Sequence, residues 1–309
     1  MLIIGDVRDE IRQIKNKTVQ TIITSPPYWG LRDYDSENQL GQEDHPEQYV
    51  NNMIHLAREF RRVLKDNGTF WLNLGDTYFG AKGGHWSSDN SFTNDTTGTK
   101  YRESRKSPPK HHYLKTKDLI GVPWKVALGL QHDGWYLRND IIWAKTNPMP
   151  EAVKDRFAKS HEHIFLLTKN KNYYFDYEAV LEPYTEPLNR WGGEKFNKEE
   201  KTKYKDNKLY VRAGKNVRPN PKGKIRKDVW KFNTSSFSGA HFAVFPEDIP
   251  KLCILAGTKV GDTVLDPFMG SGTTAVMATR LKRHWIGIEL NPQYAEIIKE
   301  RTNQMEMFQ

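Results

Sequence analysis

The sequence predicts an α/β fold whose sheet is mostly parallel and is covered by helices on both faces. Short β-branched runs alternate with amphipathic helical segments through most of the chain. Such alternation produces parallel strands that are linked by helical crossovers. Two strand candidates, Val19–Thr24 and Thr263–Leu265, lead directly into turns rich in proline or glycine. The 309 residues suffice for one large domain of this class with insertions.

The first predicted strands lie near the N-terminus. Leu2–Ile4 is a short apolar strand closed by a Gly-Asp pair, and Val19–Thr24 is a β-branched run typical of a buried strand. Pro26 and Pro27 follow the second strand. Because proline has no N–H to donate to a neighbouring strand, sheet pairing must stop there.

Apolar spacing predicts the helices of the first half. One amphipathic helix ends at Asp66-Asn67-Gly68 and has an apolar stripe in which residues recur at intervals of three and four. The stripe consists of Tyr49, Met53, Leu56, Phe60 and Val63. A second helix is predicted at Pro123–Gln131, since proline suits a first helical turn. The predicted strands around these helices are Thr69–Leu74, Tyr136–Trp143 and His163–Thr168.

The same alternation returns near the C-terminus. The predicted elements there are the helix Glu247–Ala256, the strand Thr263–Leu265, the helix Thr273–Leu281, the strand Trp285–Glu289 and a last helix from Pro292. A turn with two glycines separates the first of these strands from the helix that follows it. A strand, a glycine turn and a helix in this order are typical of a loop that holds a nucleotide-like ligand.

Two long segments interrupt the pattern. Residues 80–117 are rich in small and polar residues and show no periodicity. A loop of this length inside a compact domain is usually functional or disordered, and we expect it beside the active site because it leaves the end of a central strand. The second segment is an insertion at 178–237, where the alternation of helices and strands stops.

The positive charge of the chain is concentrated in this insertion. Residues 186–231 contain 15 Lys or Arg and 6 Asp or Glu, and 15 − 6 = +9 equals the net charge of the whole chain. Aromatic residues are interleaved with these charges, namely Tyr184, Trp191, Tyr204, Tyr210 and Trp230. Cations and aromatic rings together suit phosphates and bases, so the segment predicts a polyanionic partner such as DNA. A solvated lysine-rich loop is the alternative.

The cysteine content excludes several classes of protein. Cys253 is the one cysteine, so a disulfide framework and a cysteine-ligated zinc site are both ruled out. The ten histidines show no metal-binding pattern, and we expect no metal. The sequence shows neither a basic leader nor an apolar run of the roughly 20 residues that span a membrane, so we expect a cytoplasmic protein.

The glycine turn predicts the kind of ligand that it holds. Asp266-Pro-Phe268-Met-Gly270-Ser-Gly272 lacks the Gly-Lys-Ser/Thr of a phosphate-binding loop and the third glycine of a dinucleotide fingerprint. Glu289 ends the next strand at 289 − 272 = 17 residues after the second glycine, near the offset at which an acidic side chain binds ribose hydroxyls. An adenosine compound that carries an amino acid instead of phosphates fits best. Ser271 and Thr273 would bind its carboxylate, and Asp266 its ammonium group.

Together, two motifs resemble a known family. Thr24-Ser-Pro-Pro-Tyr-Trp29 and Asp266-Pro-Phe-Met-Gly-Ser-Gly-Thr-Thr274 resemble the motifs of the β-class DNA amino-methyltransferases, and the likeness covers most of the chain outside 80–117 and the insertion. The resemblance implies a Rossmann-like methyltransferase sheet with a circularly permuted motif order. It implies S-adenosylmethionine as cofactor, with S-adenosylhomocysteine as product.

The resemblance also implies a division of the chain. Residues 1–177 would form the catalytic half of the methyltransferase domain, 178–237 a target-recognition insertion, and 238–309 the cofactor-binding half. Double-stranded DNA is the implied partner. A cognate restriction endonuclease is left open, as is the choice between a monomer and a homodimer.

The family motif assigns a role to each catalytic residue. The Ser25 side chain and the backbone carbonyl of Pro26 would accept the two hydrogens of the substrate amine. Pro27 stiffens the turn, because its ring fixes φ. Tyr28 offers a π-face to an extruded base. Asn73, Asp76 and Trp143 through Lys145 end strands of this half and would line the base pocket, with a purely structural role as the alternative.

A further set of residues is assigned to the cofactor. It consists of Asp6, Thr24, Phe245, Asp266, Phe268, Gly270, Ser271, Gly272, Thr273 and Glu289. Two assignments have an alternative: Asp6 suits a helix cap, and the Phe245-Pro246 pair suits the core.

The residue that heads the catalytic motif bears on the target base. Serine there favours N4 of cytosine in the family, and N6 of adenine is the alternative. Methylation at carbon 5 requires a cysteine nucleophile, whereas Cys253 lies in an apolar helix where a core role is expected. The contrasting class is a DNA-binding protein that retains the fold without activity. Related enzymes act on RNA or protein, and a nicotinamide oxidoreductase is a further alternative.

Overall fold

The computed structural model describes residues 1–31, 39–80, 92–94, 100–102, 111–184, 220, 222–236, 243–244 and 246–306. Most of the loop at 80–117 and of the insertion at 178–237 therefore lies outside the described residues, as does Phe245. Within the described ranges, no helix has the length and apolar composition needed to cross a membrane.

The described residues form twelve strands, of which seven overlap the predicted strands, and the five at 92–94, 100–102, 229–232, 235–236 and 243–244 were not predicted. In chain order the twelve strands are β1 (Leu2–Ile4), β2 (Val19–Thr24), β3 (Leu64–Leu74), β4 (Phe92–Asn94), β5 (Lys100–Arg102), β6 (Tyr136–Lys145), β7 (His161–Thr168), β8 (Val229–Phe232), β9 (Ser235–Ser236), β10 (Ala243–Val244), β11 (Thr263–Asp266) and β12 (His284–Glu289). Eight of these strands form one sheet, in the order β1-β12-β11-β2-β3-β7-β6-β8. β4 pairs with β5 and β9 pairs with β10, each in a two-stranded sheet.

The sheet is mostly parallel, as predicted. The five neighbouring strands β1, β12, β11, β2 and β3 all run parallel to one another, and β6 runs parallel to β8. β7 is antiparallel to both β3 and β6. The segment between β6 and β7, residues 146–160, contains no helix, so these two strands form a hairpin instead of a crossover.

The helices lie near the predicted positions, but the helix predicted to end at Asp66-Asn67-Gly68 ends at Val63, and those three residues belong to β3. The helices are α1 (Val7–Glu10), α2 (Pro46–Val63), α3 (Val122–His132), α4 (Asp248–Gly257), α5 (Thr273–Arg280) and α6 (Tyr294–Glu306). The predicted apolar stripe of α2 is buried along its whole length. Beneath it, the ring of Phe60 contacts Phe70 on β3, and Phe70 in turn contacts Trp135. Periodicity therefore identified the helix face that forms the core.

The crossovers diverge at the centre of the sheet. From β2 the chain passes through α2 to β3 on one side, whereas from β11 it passes through α5 to β12 on the other side. Right-handed crossovers in opposite directions place their helices on opposite faces. The neighbouring strands β2 and β11 therefore form a topological switch point, and ligands of open α/β sheets bind at the carboxyl ends of such strands.

The chain divides into two compact units. The first contains residues 1–175 and 228–309, and the second contains residues 176–227. β8 belongs to the first unit, because it pairs with β6 and this unit resumes at residue 228. The predicted division of the chain at 178 and 237 stays a prediction. In the second unit, Glu182 and Lys224 form a β-bridge, and Arg226 bonds the carbonyl of Val180. A role of this unit in target recognition stays a prediction.

Candidate active site

A direct hydrogen bond joins the two sequence motifs. Thr24 ends β2 and Asp266 ends the neighbouring strand β11. The Thr24 Oγ1 donates to Asp266 Oδ1 at 2.8 Å, although 242 residues separate them in the chain. The Ser-Pro-Pro-Tyr turn and the glycine turn therefore begin from adjacent points at the same edge of the sheet.

Asp266 holds the two turns together from inside the protein. It is fully buried, and it also accepts hydrogen bonds from Thr274 Oγ1 at 2.6 Å and from the backbone N–H of Phe268 at 3.1 Å. Burial raises the pKa of Asp266 to about 7, although these hydrogen bonds oppose the shift. Three partners and complete burial give this carboxylate a clear structural role, so its predicted contact with an ammonium group stays a prediction.

The glycine turn adopts the left-handed backbone geometry that glycine favours. Gly270 has φ +53° and Gly272 has φ +85°. A Cβ added at Gly272 would lie 3.0 Å from Cγ1 of Ile298 on α6. Gly272 precedes α5, so the turn leads into the positive end of a helix dipole. Phe268 is half-buried and packs against the main core.

Glu289 contacts the same turn from the end of β12. Its Oε2 accepts from the N–H of Gly270 at 2.7 Å, and its Oε1 accepts from the N–H of Asn291 at 2.9 Å. Burial raises its pKa, against the effect of these backbone hydrogen bonds. The carboxylate is thus oriented by the turn, and a further hydrogen bond to ribose stays a prediction.

Arg301 on α6 lies behind the glycine turn, and sequence reasoning missed it. Its Nη1 donates to the carbonyl of Ser271 at 2.7 Å, to Ser271 Oγ at 3.0 Å and to Thr273 Oγ1 at 3.4 Å. It therefore contacts both hydroxyls that the sequence assigned to a carboxylate. Ile298 and Arg301 are three residues apart and so share one face of α6, which is the pattern that could have identified this arginine.

Asp6 is placed as a helix cap. It is the N-cap of α1, and its Oδ1 accepts from the backbone N–H of Arg8 at 2.9 Å. Burial alone would raise the pKa of Asp6, but hydrogen bonds and the charge of Arg8 hold it below the usual value. The N–H of Gly5 donates to the carbonyl of Glu289, whose side chain contacts the glycine turn. Asp6 therefore follows a strand that ends near this turn. A contact with the cofactor stays a prediction.

A network of polar side chains surrounds the catalytic motif. Ser25 Oγ donates to the hydroxyl of Tyr28 at 3.1 Å, and Tyr28 donates to Glu162 Oε2 at 2.6 Å. Asn73 Nδ2 donates to Tyr28 at 2.6 Å and to Glu162 at 2.8 Å. Lys145 Nζ donates to Glu162 Oε1 at 2.5 Å. The structure thus brings Asn73 and Lys145 to the motif and adds Glu162, which the sequence did not single out for catalysis.

The ring of Tyr28 lies close to the end of β3. A Cβ added at Gly75 would be 2.7 Å from Cε2 of Tyr28, so only glycine allows this approach. Burial and the charge of Glu162 raise the pKa of Tyr28 well above its usual value, which keeps its hydroxyl protonated. Pro26 is buried, and Ser25 and Pro27 are half-buried. The predicted stacking of a base on Tyr28 stays a prediction.

Asp76 and Cys253 have structural surroundings. Asp76 accepts from the backbone N–H groups of Gly121 and Val122 at the start of α3. Cys253 is fully buried in α4, as predicted, and burial raises the pKa of its thiol well above the usual value. Among the residues that the structure describes, no three His, Cys, Asp or Glu side chains are grouped as metal ligands.

Fold and site together define the class of the protein. A mostly parallel sheet that presents a glycine turn and a Ser-Pro-Pro-Tyr turn at one switch point is the arrangement that the sequence predicted for a Rossmann-like methyltransferase. The family model described as DNA methylase matches residues 19–300, and the chain belongs to that family.

Several known proteins are similar to this chain. The type II methyltransferase M.SmaI of Serratia marcescens is 44% identical over 97% of this chain and 89% of its own length. M.Cfr9I of Citrobacter freundii, also a type II methyltransferase, is 42% identical over 96% of this chain and 85% of its own. The solved structure of PvuII DNA methyltransferase, described as cytosine-N4-specific, covers 99% of this chain and 89% of that one, with a TM-score of 0.63 at 18% identity. The last match concerns the fold alone.

Proposed function

We propose that this DNA methylase transfers a methyl group from S-adenosylmethionine to the exocyclic amino nitrogen of a base flipped out of duplex DNA, and that the target is N4 of cytosine. The hydrogen bond from Thr24 to Asp266 carries the proposal, because it holds the acceptor turn beside the cofactor turn. Direct transfer requires the reacting atoms to approach within about 3–3.5 Å, and most of the rate gain comes from such positioning.

The residues around the glycine turn fit the amino-acid end of the cofactor. The N-terminus of α5 favours an anionic group, and Arg301 adds a guanidinium beside Ser271 and Thr273. We assign the carboxylate of the cofactor to this position. Glu289, already oriented by the N–H of Gly270, is assigned to the ribose hydroxyls. When bound, the cofactor supplies an electrophilic methyl group on a sulfonium.

The Ser-Pro-Pro-Tyr turn would prepare the nucleophile. The lone pair of an exocyclic amine is delocalised into the ring of the base, which makes the nitrogen a poor nucleophile. Ser25 Oγ and the carbonyl of Pro26 would accept its two hydrogens and favour the tetrahedral form. With the cofactor bound, this nitrogen would take the methyl group from the sulfonium, S-adenosylhomocysteine would be left, and the nitrogen would afterwards lose one proton to water. No covalent intermediate with the protein is needed.

The target base must leave the duplex before this chemistry can occur. Flipping costs a few kcal/mol, which stacking and hydrogen bonds in the pocket partly offset. We assign stacking to Tyr28, whose hydroxyl is fixed by Glu162. Backbone binding of the DNA is assigned to the basic segment 186–231 with its charge of 15 − 6 = +9.

The test is to identify the modified nucleoside. The protein is incubated with unmethylated duplex DNA and S-adenosylmethionine that carries a labelled methyl group, and the DNA is digested and examined by mass spectrometry. Labelled N4-methylcytosine is expected. Labelled N6-methyladenine would support transfer to an amino nitrogen but would contradict cytosine as the target base. Binding of DNA without any methyl transfer would instead support the non-catalytic alternative.

A role in protecting a short DNA sequence is the second part of the proposal. It is supported by the 44% identity with a relative named as a type II methyltransferase. The expected result is that genomic DNA of an expressing host, sequenced by a modification-sensitive method, carries the modification at one short motif. Methylation scattered without a motif would contradict it. A companion endonuclease would cut the same motif when it is unmodified.

A further inference from the structure

The hydroxyl of Ser25 is one end of a directional chain of hydrogen bonds. Ser25 donates to Tyr28 at 3.1 Å, and Tyr28 donates to the carboxylate of Glu162 at 2.6 Å. Glu162 lies on β7, 134 residues from Tyr28, and its side chain is only 13% exposed. The chain therefore links the predicted amine acceptor to a nearly buried carboxylate.

The carboxylate determines the direction of this chain. A hydroxyl has one hydrogen and two lone pairs, whereas an ionised carboxylate can only accept. Tyr28 must therefore give its hydrogen to Glu162, and its two lone pairs accept from Ser25 and from Asn73 Nδ2. Ser25 in turn gives its hydrogen to Tyr28. Every hydrogen-bonding position of the Tyr28 hydroxyl is then occupied.

Asn73 and Lys145 hold the carboxylate in place. The amide of Asn73 must turn its nitrogen towards Glu162, because an oxygen there would lie 2.8 Å from a carboxylate oxygen. Lys145 Nζ binds the other carboxylate oxygen at 2.5 Å and also lies over the ring of Trp143. Asn73, Lys145 and Tyr28 thus come from three different strand ends and all contact Glu162.

This direction leaves Ser25 with a lone pair for the substrate. Asn73 Nδ2 approaches Ser25 Oγ at 3.3 Å, which occupies one lone pair at most. Among the described residues no other donor is bonded to Ser25 Oγ, so its other lone pair can accept a hydrogen of the amine. Were the chain reversed, Tyr28 would donate to Ser25, and the serine would present its own hydrogen to the amine.

We propose that Glu162, acting through Tyr28, fixes Ser25 as a hydrogen-bond acceptor for the substrate amine. Glu162 is a positioning residue, since it contacts neither base nor cofactor in this scheme. The inference rests on the proposed function, because it presupposes an amine that needs an acceptor. A side chain that has no hydrogen to donate could only accept from the amine and would need no such control. A serine needs it, because its hydroxyl can either donate or accept.

Glu162→Gln tests the direction of the chain with almost no change of shape. The carboxamide can donate to the oxygen of Tyr28, which then donates to Ser25 and fills the lone pair that the amine needs. Single-turnover methyl transfer should fall roughly 100-fold, the size expected for losing one aligned hydrogen bond in a catalytic site. The Kd for S-adenosylmethionine should not change. Glu59→Gln is the matched control, because Glu59 pairs with Arg62 on α2 and has no contact with the network.

A double-mutant cycle separates positioning from a general structural effect. Tyr28→Phe removes the intermediate hydroxyl, so Glu162→Gln should cause no further loss of rate in that background. Independent, multiplicative losses would overturn the inference. Lys145→Gln removes the ammonium group at the other carboxylate oxygen of Glu162 and should show the same dependence on Tyr28. It replaces Glu162→Gln in the cycle if thermal unfolding shows that the latter variant is not folded.

The wild-type reaction distinguishes the two levels of the proposal. If the wild-type protein methylates an amino nitrogen and the cycle is multiplicative, the proposed function stands and the role of Glu162 is rejected. If the wild type binds S-adenosylmethionine and DNA but methylates no amino nitrogen, both are rejected.

Discussion

The two turns of the site occupy the same edge of the sheet but are held by different kinds of contact. The glycine turn is fixed through its backbone, since Glu289 binds the N–H of Gly270 and Asp266 binds the N–H of Phe268. The Ser-Pro-Pro-Tyr turn is fixed through side chains, as Tyr28 bonds Ser25 and Glu162. The contacts of the glycine turn therefore fix its backbone shape. Those of the Ser-Pro-Pro-Tyr turn fix the direction of individual hydrogen bonds.

This difference predicts how each turn responds to substitution. Loss of one hydroxyl in the Ser-Pro-Pro-Tyr turn should change the rate of transfer and leave the fold intact. Loss of a carboxylate or a glycine at the other turn should change stability or cofactor affinity. The largest effect is expected for the hydroxyl that faces the substrate.

Ser25→Ala should reduce single-turnover methyl transfer by about 1000-fold, the upper range for one aligned group in a catalytic site. The physical reason is the loss of an acceptor for the amine hydrogen. Binding of DNA and of S-adenosylmethionine should be retained and can be measured by fluorescence anisotropy and calorimetry. An unchanged rate would remove the distinction between the turns and would favour the non-catalytic alternative.

The buried carboxylate between the turns predicts an unusual dependence of stability on pH. Native Asp266 keeps its proton up to about pH 7, whereas the unfolded chain loses it near the usual pKa of 3.8. The native state therefore binds more protons between these values, and the free energy of unfolding should fall as pH rises through this window and level off above it. The upper limit is about 4 kcal/mol, from 1.36 kcal/mol per pKa unit. Glu289, whose pKa is also raised, contributes with the same sign.

Asp266→Asn tests this prediction by denaturant unfolding between pH 5 and 8. The variant should show a flatter pH dependence than the wild type. Asp262→Asn is the control with the opposite sign, because Lys65 holds the pKa of Asp262 below its usual value against the effect of burial. That variant should be less stable than the wild type by a constant amount across pH 5 to 8, and the difference should disappear only when pH falls below the usual pKa of 3.8. Equal slopes for wild type and Asp266→Asn would contradict the prediction.

Arg301→Gln should weaken S-adenosylmethionine binding by about tenfold, within the range for a charge-assisted hydrogen bond. The guanidinium contacts Ser271 and Thr273, to which we assign the carboxylate of the cofactor. Adenosine analogues of the cofactor that lack its amino-acid group should bind the wild type and the variant with equal affinity. If the variant loses affinity for both compounds equally, the arginine acts on the shape of the turn and not on the carboxylate.

Much of the fold and part of the site could be predicted from local patterns. The stripe of α2 has a period that is visible within 18 residues, and the ends of β2 and β11 are marked by proline and glycine. The two motifs could be paired because each follows a strand of one parallel sheet. The antiparallel direction of β7 was not predicted. It goes with the absence of a helix in 146–160, and a missing helix is harder to recognise in a sequence than a helix that is present.

The missed residues are those whose partners are distant in sequence. Glu162 is 134 residues from Tyr28, and Arg301 is 30 residues from Ser271. Their contacts depend on which strand pairs with β3 and on which face of α6 meets the glycine turn. For Asp266 the residue was identified, but burial and its contacts with Thr24 and Thr274 could not be foreseen, because they follow from the meeting of β2 with β11.

The smallest effect is expected from a methyl group added to the backbone-controlled turn. Gly272→Ala places an alanine at φ +85°, with its Cβ 3.0 Å from Ile298, so it should cost about 1–2 kcal/mol and raise the Kd for S-adenosylmethionine several-fold. Gly261→Ala is the matched control, because Gly261 has φ +83° and open space around the added Cβ. Both variants carry the same backbone strain, and Gly272→Ala should lose somewhat more stability in thermal unfolding because its added Cβ also meets Ile298. Only Gly272→Ala should weaken cofactor binding, and equal affinity in the two variants would show that the exact shape of the glycine turn does not control the cofactor.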